Sequence, residues 1–147
     1  MIDRPTRDRL AENLRHLASG TISPSEFEWR GESSDDDSIY DIEYEMFCSF
    51  YGDDLETCFR GSHRLERDER RSIARCILFL KSNNEYEWPT RTGLGGIGRS
   101  LLSFFTLGRV NLNNPPDGES AVWPFYRRAD YEKQLALNPF SAGDGAS

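Results

Sequence analysis

Hydrophobic side chains recur every three to four residues over several stretches of this chain, which is the period of an amphipathic α-helix. In the first stretch, Leu10, Leu14 and Leu17 fall on one side of such a helix. Thr6 stands before them as the predicted N-cap, and Gly20 follows them as a residue type that commonly ends helices. We therefore predict a short amphipathic helix between Thr6 and Gly20.

The tetrapeptide SPSE at 23–26 predicts the start of a second helix. Ser23 stands at the capping position, Pro24 at the first helical position, and Glu26 three residues after the cap. This arrangement is a capping box, in which cap and glutamate exchange hydrogen bonds. One or two helical turns that carry Phe27 are expected to follow.

A longer acidic helix is predicted over about 35–55. Ser34 or Asp35 is the expected N-cap, because acids crowd into the first turn, where the helix dipole favours them. Asp41 and Glu45 are expected in solvent. The hydrophobic side chains of this predicted helix form two stripes. The first stripe contains Ile39, Ile42, Met46 and Phe50, and the second contains Tyr40, Tyr44, Phe47 and Tyr51.

Glu43 falls between these two stripes, and it is the candidate buried carboxylate of the sequence. A carboxylate flanked by hydrophobic side chains is costly to bury unless it is paired or protonated. One hypothesis pairs Glu43 with a nearby arginine. The other makes it a functional carboxylate in a binding or catalytic site.

The most hydrophobic helix is predicted over 67–82 and is expected to be central. Cys76 lies on its hydrophobic side and is therefore predicted to be a buried core thiol. A last short helix is predicted over 129–137. The small-residue tail at 141–147 is expected to be disordered.

Two Trp-Pro dipeptides lie between the helical segments. Because proline disfavours the helical conformation of the residue before it, both tryptophans are predicted in extended backbone, either paired as a small ribbon or crossing the helices. Aromatic and charged residues interleave around them, which is typical of protein-binding surfaces and also of the edge of an ordinary core. The binding candidates here are Glu85, Trp88, Trp123, Phe125, Arg127 and Arg128.

Together these elements predict a mainly α fold, a single compact helical domain over 1–140 with five or six helices and two short extended segments. A chain of 147 residues is long enough to bury the core of one such domain.

The segment at 93–98 matches the pattern G-x-G-x-x-G of dinucleotide-binding loops. That loop needs a buried strand before it, whereas the preceding residues, EWPTRT, are polar and interrupted by proline. No cofactor is therefore expected. A weak anion site at Gly95, Gly98 and Arg99 stays a candidate, because these residues open a helix predicted over about 99–107.

The charges are unevenly distributed along the chain. Ten acids and no Lys or Arg lie between Glu32 and Glu56, while six arginines and three acids lie between Arg60 and Arg75. These groups either pair within the molecule or leave an acidic side for a basic partner. The net charge of −7 disfavours binding to nucleic acids or anionic membranes.

The remaining composition indicates a reduced, cytoplasmic protein without a metal site. The three cysteines are widely spaced and the two histidines show no metal-ligand spacing. The longest hydrophobic run, ARCILFL, is too short to span a bilayer, and the N-terminal residues lack the hydrophobic region of a signal peptide.

The leading functional hypothesis is a non-enzymatic, acidic protein-interaction domain with a protein partner that is itself basic, similar in composition to immunity or antitoxin proteins. The alternative, from another class, is a small enzyme or small-ligand binder that uses Glu43 with an arginine from 60–75. Its catalytic residues are not identified by the sequence.

The resemblance of this chain to a known family is carried by three sequence blocks: RLAENLRHLASGTIS, ARCILFLKSNNEYEWP and VWPFYRRADYEKQL. In these blocks and their order, over most of residues 7–137, the chain resembles a family of small bacterial proteins that has no assigned function. The resemblance implies a bacterial, cytosolic, single-domain protein. It implies no activity, ligand or catalytic residue.

Overall fold

A computed structural model describes residues 1–31, 33–50, 55–89 and 118–138 of the chain. In these ranges the chain is mainly α and compact, as predicted, and it contains no β-strand. The glycine motif, the helix predicted over 99–107 and the tail at 141–147 lie outside them. The described elements are α1 (Arg4–Ala18), α2 (Pro24–Trp29), α3 (Asp37–Phe50), α4 (Arg67–Lys81), α5 (Arg128–Leu137) and two short 3-10 turns, Gly61–His63 and Ser120–Val122.

The core forms where α1 packs along α4, the most extensive helix pair of the described structure. The predicted hydrophobic side of α1 is fully buried in this interface. Cys76 is buried on α4 as predicted, and burial raises the pKa of its thiol to about 12. The core residues of the two helices include Leu10, Ala11, Leu14, Leu17, Ile73, Leu78, Phe79 and Leu80.

The N-cap of helix α1 lies three residues earlier than predicted, because Asp3 and not Thr6 caps it. The Asp3 carboxylate accepts a hydrogen bond from the backbone N–H of Thr6 at 3.1 Å. Gly20 follows the helix with a φ of +69°, a conformation that favours glycine. A Cβ at this position would lie 2.8 Å from the carbonyl oxygen of Phe59, so the close approach of the two chain segments also requires glycine.

The capping box of α2 is confirmed. The Ser23 N–H donates to the Glu26 carboxylate at 2.8 Å, and the Glu26 N–H donates to the Ser23 hydroxyl at 3.2 Å. These two bonds fix the start of a helix only six residues long, and Phe27 anchors it in the core.

Helix α3 begins after Asp36, which occupies the cap position. The predicted caps lie earlier, Asp35 by one residue and Ser34 by two. The Asp36 carboxylate accepts from both the N–H and the hydroxyl of Ser38, at 3.2 and 2.6 Å. The predicted solvent exposure of Asp41 is wrong, because Asp41 is only 2% exposed and accepts a hydrogen bond from the Tyr86 hydroxyl at 2.8 Å. The segment after α4 covers this side of α3, which a single-helix pattern does not reveal.

A buried ion pair joins α1 to the start of α3. The Arg7 guanidinium contacts both oxygens of Asp36, at 2.6 and 3.2 Å, and the two side chains are 0% and 2% exposed. Arg7 also donates to the carbonyl oxygen of Asn84 at 2.9 Å and lies 5.0 Å from the centre of the Phe79 ring. One side chain of α1 therefore connects α3, α4 and the segment that follows α4.

Asp36 also makes the stability of the fold depend on pH. Burial raises the pKa of its carboxyl, but hydrogen bonds from Arg7, Ser38 and the Asp3 N–H outweigh burial and hold the pKa below its ordinary value of about 3.9. A carboxyl with a lowered folded-state pKa stabilises the fold above the unfolded-state pKa. That stabilisation is lost as the pH falls through the folded-state value.

We therefore expect the urea midpoint of the wild-type protein to fall as the pH is lowered through about 4 and below. Asp36→Asn should be less stable at neutral pH and should show a smaller further loss in acid. Asp35→Asn, a change at the exposed neighbouring acid, should retain the wild-type pH dependence. The same acid-induced loss in Asp36→Asn and in the wild type would contradict this assignment.

Candidate functional site

A groove between α2 and α3 is the candidate functional site. Its volume is about 170 Å³. The α2 side and the residues after it contribute Phe27, Glu28 and Gly31. The α3 side contributes Tyr40, Glu43, Tyr44 and Phe47, most of which belong to the second hydrophobic stripe predicted for this helix.

The walls of the groove are aromatic. Tyr40 and Tyr44 are one helical turn apart on α3, and their rings are nearly parallel, with an interplanar angle of 17° and centres 6.1 Å apart. Phe27 closes the groove toward the core, in which it is buried. The first stripe of α3 occupies the core, so the second stripe is left to line the groove.

Two carboxylates flank these rings. Glu28 is exposed on α2, and Glu43 is half-buried on α3. A Cβ at Gly31 would lie 3.7 Å from a carboxylate oxygen of Glu43 and 3.2 Å from the carbonyl oxygen of Glu28. The absence of a side chain at Gly31 therefore leaves room beside the Glu43 carboxylate.

Each of the two helices that form the groove carries an exposed aromatic side chain. Trp29, which follows Glu28 on α2, is 89% exposed, and Tyr40 is 49% exposed. Large exposed aromatic side chains next to a pocket are typical of binding surfaces. The combination of negative charge and aromatic ring faces attracts cations, because both carboxylates and ring faces present negative potential.

The structure brings the residues of the two Trp-Pro segments together, but by side chains and not as a ribbon. The Trp88 indole N–H donates to the Pro124 carbonyl at 3.1 Å, and the Trp123 indole N–H donates to the Tyr86 hydroxyl at 3.3 Å. The Arg75 side chain on α4 donates to the Trp123 carbonyl at 2.6 Å. Trp123 lies in a turn, with φ at −49° and ψ at 137°.

The hydrophobic members of the predicted Trp-Pro site are committed to intramolecular packing. Trp88 and Phe125 are buried, and Phe125 packs edge-on against Phe79 with ring centres 5.2 Å apart. Trp123 is half-buried against the core. This packing is what the core-edge hypothesis predicts for these three side chains.

The charged members of that predicted site lie at the surface and contact acids or the terminal amine of the same chain. Arg127 lies 3.5 Å from Glu87, and Arg128 lies 3.3 Å from Glu119. The carboxylate of Glu85 is 3.7 Å from the N-terminal amine. Such exposed pairs contribute little to stability.

Of the predicted site residues that the structure describes, Glu43 is the one that lines the groove. The pairing of Glu43 with an arginine stays a prediction, whereas Asp36 takes its arginine from α1. Sequence reasoning missed Glu28 and Gly31, although the sequence FEWRG after the capping box carries the signal. In that sequence Trp29 stands between Glu28 and Arg30, and a tryptophan between two charged residues indicates a side chain at the surface.

Other classes of site receive no support from the described residues. Within them, no group of three or more His, Cys, Asp or Glu side chains is arranged to hold a metal ion. No helix of the described ranges is long and apolar enough to cross a membrane. The candidate anion site at Gly95, Gly98 and Arg99 lies outside these ranges.

No family model matches this chain, and no match is found among curated proteins or solved structures. The resemblance to a family of small bacterial proteins therefore stays a prediction from the three sequence blocks. The geometry of the groove is the basis for a functional proposal.

Proposed function

We propose that this protein is a non-enzymatic protein-interaction domain that binds a basic protein partner through the groove between α2 and α3. The observation that carries the proposal is that two carboxylates and the rings of Tyr40 and Tyr44 line one groove, between helices that carry the exposed side chains of Trp29 and Tyr40. The three free cysteines fit a reducing, cytoplasmic setting for this interaction.

The aromatic residues of this surface supply binding energy without requiring much rearrangement. Trp and Tyr side chains bury large areas and have few rotatable bonds, and they are enriched among the residues that dominate interfaces. Trp29 and Tyr40 are exposed, whereas the aromatic residues of the Trp-Pro segments pack inside the molecule. The α2–α3 surface thus has the accessible aromatic residues that a protein interface uses.

The charge of the protein favours a basic partner. The net charge is −7, and ten acids lie between Glu32 and Glu56, a range that includes α3. An acidic surface accelerates encounter with a basic partner and repels nucleic acids. Binding that depends on this attraction weakens as the salt concentration rises, because ions screen exposed charges over about 10 Å at 0.1 M salt.

The enzymatic alternative requires a second catalytic group beside Glu43. Among the described residues that line the groove, the ionisable side chains are those of Glu28, Tyr40, Glu43 and Tyr44. This set contains carboxylates and phenols but neither a thiol nor an imidazole to act as nucleophile and base. The groove therefore supports binding better than it supports nucleophilic catalysis.

Phage display of random dodecapeptides against the immobilised protein tests the proposal. We expect the enriched peptides to be basic. They should bind Trp29→Ala or Tyr40→Ala about tenfold more weakly than the wild type, which corresponds to a loss of about 1.4 kcal/mol of binding free energy. Raising the salt concentration should also weaken the binding of these peptides to the wild-type protein. Affinities are measured by isothermal titration calorimetry, after thermal melts show that each variant is folded.

Two variants on α5 serve as matched controls. Leu137→Ala removes an exposed hydrophobic side chain far along the chain from the groove, and Glu132→Gln removes one exposed negative charge. Both should bind the selected peptides as the wild type does. Selected peptides that bind Trp29→Ala and Tyr40→Ala without loss, or that carry no excess of positive charge, would overturn the proposal.

A further inference from the structure

We infer that the groove between α2 and α3 receives a single arginine side chain of the basic partner. This inference rests on the proposed function and names the chemical group that the groove recognises. It follows from the size of the groove, the arrangement of its rings and the position of its carboxylates.

The size of the groove selects one side chain and not a larger ligand. Pockets for drug-sized molecules and cofactors have volumes of about 300–1,000 Å³. The volume here is about 170 Å³, well below that range. A groove of this size accommodates the end of one long side chain, whereas most of a nucleotide would extend beyond it.

The rings favour a flat cation. A guanidinium group is planar and only weakly hydrated, so it stacks on aromatic faces more readily than an ammonium group. Tyr40 and Tyr44 present nearly parallel rings along one wall of the groove. The protein uses the same pairing internally, where the Arg7 guanidinium lies 5.0 Å from the centre of the Phe79 ring.

The carboxylates add directional recognition. Glu28 and Glu43 line the groove from different helices, so a cation that stacks on the rings in the groove meets two carboxylates. A guanidinium group presents five N–H donors in a fixed plane and can donate to two acceptors at once. Gly31 keeps the approach to Glu43 open, because any side chain there would extend toward that carboxylate.

The test uses Nα-acetyl-arginine amide as the probe and the backbone N–H of Gly31 as the reporter in two-dimensional NMR spectra of the full chain. We expect a saturable shift of the Gly31 signal, with at least fivefold weaker binding of Nα-acetyl-lysine amide. The matching citrulline amide has nearly the same shape without the charge and should cause no saturable shift. Glu43→Gln and Tyr44→Ala should each weaken the arginine probe, whereas Glu132→Gln should not.

The outcomes separate this inference from the proposed function. If peptides from the display experiment bind through Trp29 and Tyr40 but the arginine probe leaves Gly31 unchanged, the interaction surface stands and the arginine assignment is wrong. Equal binding of the arginine and citrulline amides would also overturn the assignment. If neither peptides nor probe bind, both proposals fail.

One further variant excludes an occupant from this chain. The basic residues Arg91, Arg99 and Arg109 lie in a stretch without acids, from Trp88 to Pro116. If the probe binds only when all three are replaced by glutamine, the groove belongs to this segment and not to a partner. That result would overturn the inference, while unchanged binding in the triple variant supports it.

Discussion

Replacing Arg7 with methionine is expected to lower the free energy of unfolding by about 3–5 kcal/mol. The substitution removes a fully buried guanidinium and leaves the Asp36 carboxylate, itself 2% exposed, without its ionic partner. It also removes the hydrogen bond to the Asn84 carbonyl, which lies in the segment after α4. Urea unfolding monitored by circular dichroism measures the change.

The control for this prediction is a methionine at an exposed arginine of the same helix. Arg15 lies 3.1 Å from Glu12 on the surface of α1, and its loss should cost less than about 1 kcal/mol. A double variant, Arg7→Met with Asp36→Leu, should be more stable than the sum of the two single changes predicts, because it removes the uncompensated charge. A cost below about 1 kcal/mol for Arg7→Met alone would show that the pair does not hold α1 and α3 together.

Phe79→Ala is expected to destabilise the protein by about 3–5 kcal/mol. Phe79 lies where the core aromatic residues meet, with ring centres 5.9 Å from Tyr86 and 5.2 Å from Phe125. It also lies under the Arg7 guanidinium. Truncation leaves a cavity that the surrounding rings fill only in part, and it removes a surface on which the buried ion pair packs.

Tyr40→Ala is the matched control, since it truncates an aromatic side chain that is 49% exposed. It should change the free energy of unfolding much less than Phe79→Ala while it weakens peptide binding at the groove about tenfold. Equal destabilisation by the two substitutions would contradict the division between core and binding surface. The contrast also shows that loss of binding in groove variants does not come from loss of folding.

The helices were predictable because their signals are local. The capping box of α2 consists of residues only three apart, and α4 was predicted to within one residue at its C-terminal end. The cap of α3 was predicted one or two residues early, since several adjacent Ser and Asp residues are chemically competent caps. Of these residues, Asp36 takes the cap position, because it is the one that forms an ion pair with Arg7 in the folded chain.

The candidate site was predictable only in part. Glu43 stood out because it interrupts two hydrophobic stripes on one helix, a feature that helical periodicity reveals. Glu28 and Gly31 join it through the packing of α2 against α3, which periodicity does not specify. The aromatic residues around the Trp-Pro dipeptides were equally good candidates by composition, and the fold places Trp88 and Phe125 in the core.

The sequence by itself determined the helical class, the approximate helix bounds, the hydrophobic sides of α1 and α4, and the acidic character of the protein. These properties depend on residue type and on spacing within a few positions, so they can be derived from the chain alone. The tertiary structure decided which polar groups meet, including the Arg7–Asp36 pair and the hydrogen bond from Tyr86 to Asp41. It also decided which aromatic residues stay at the surface, because contacts between residues distant in sequence depend on how whole helices pack.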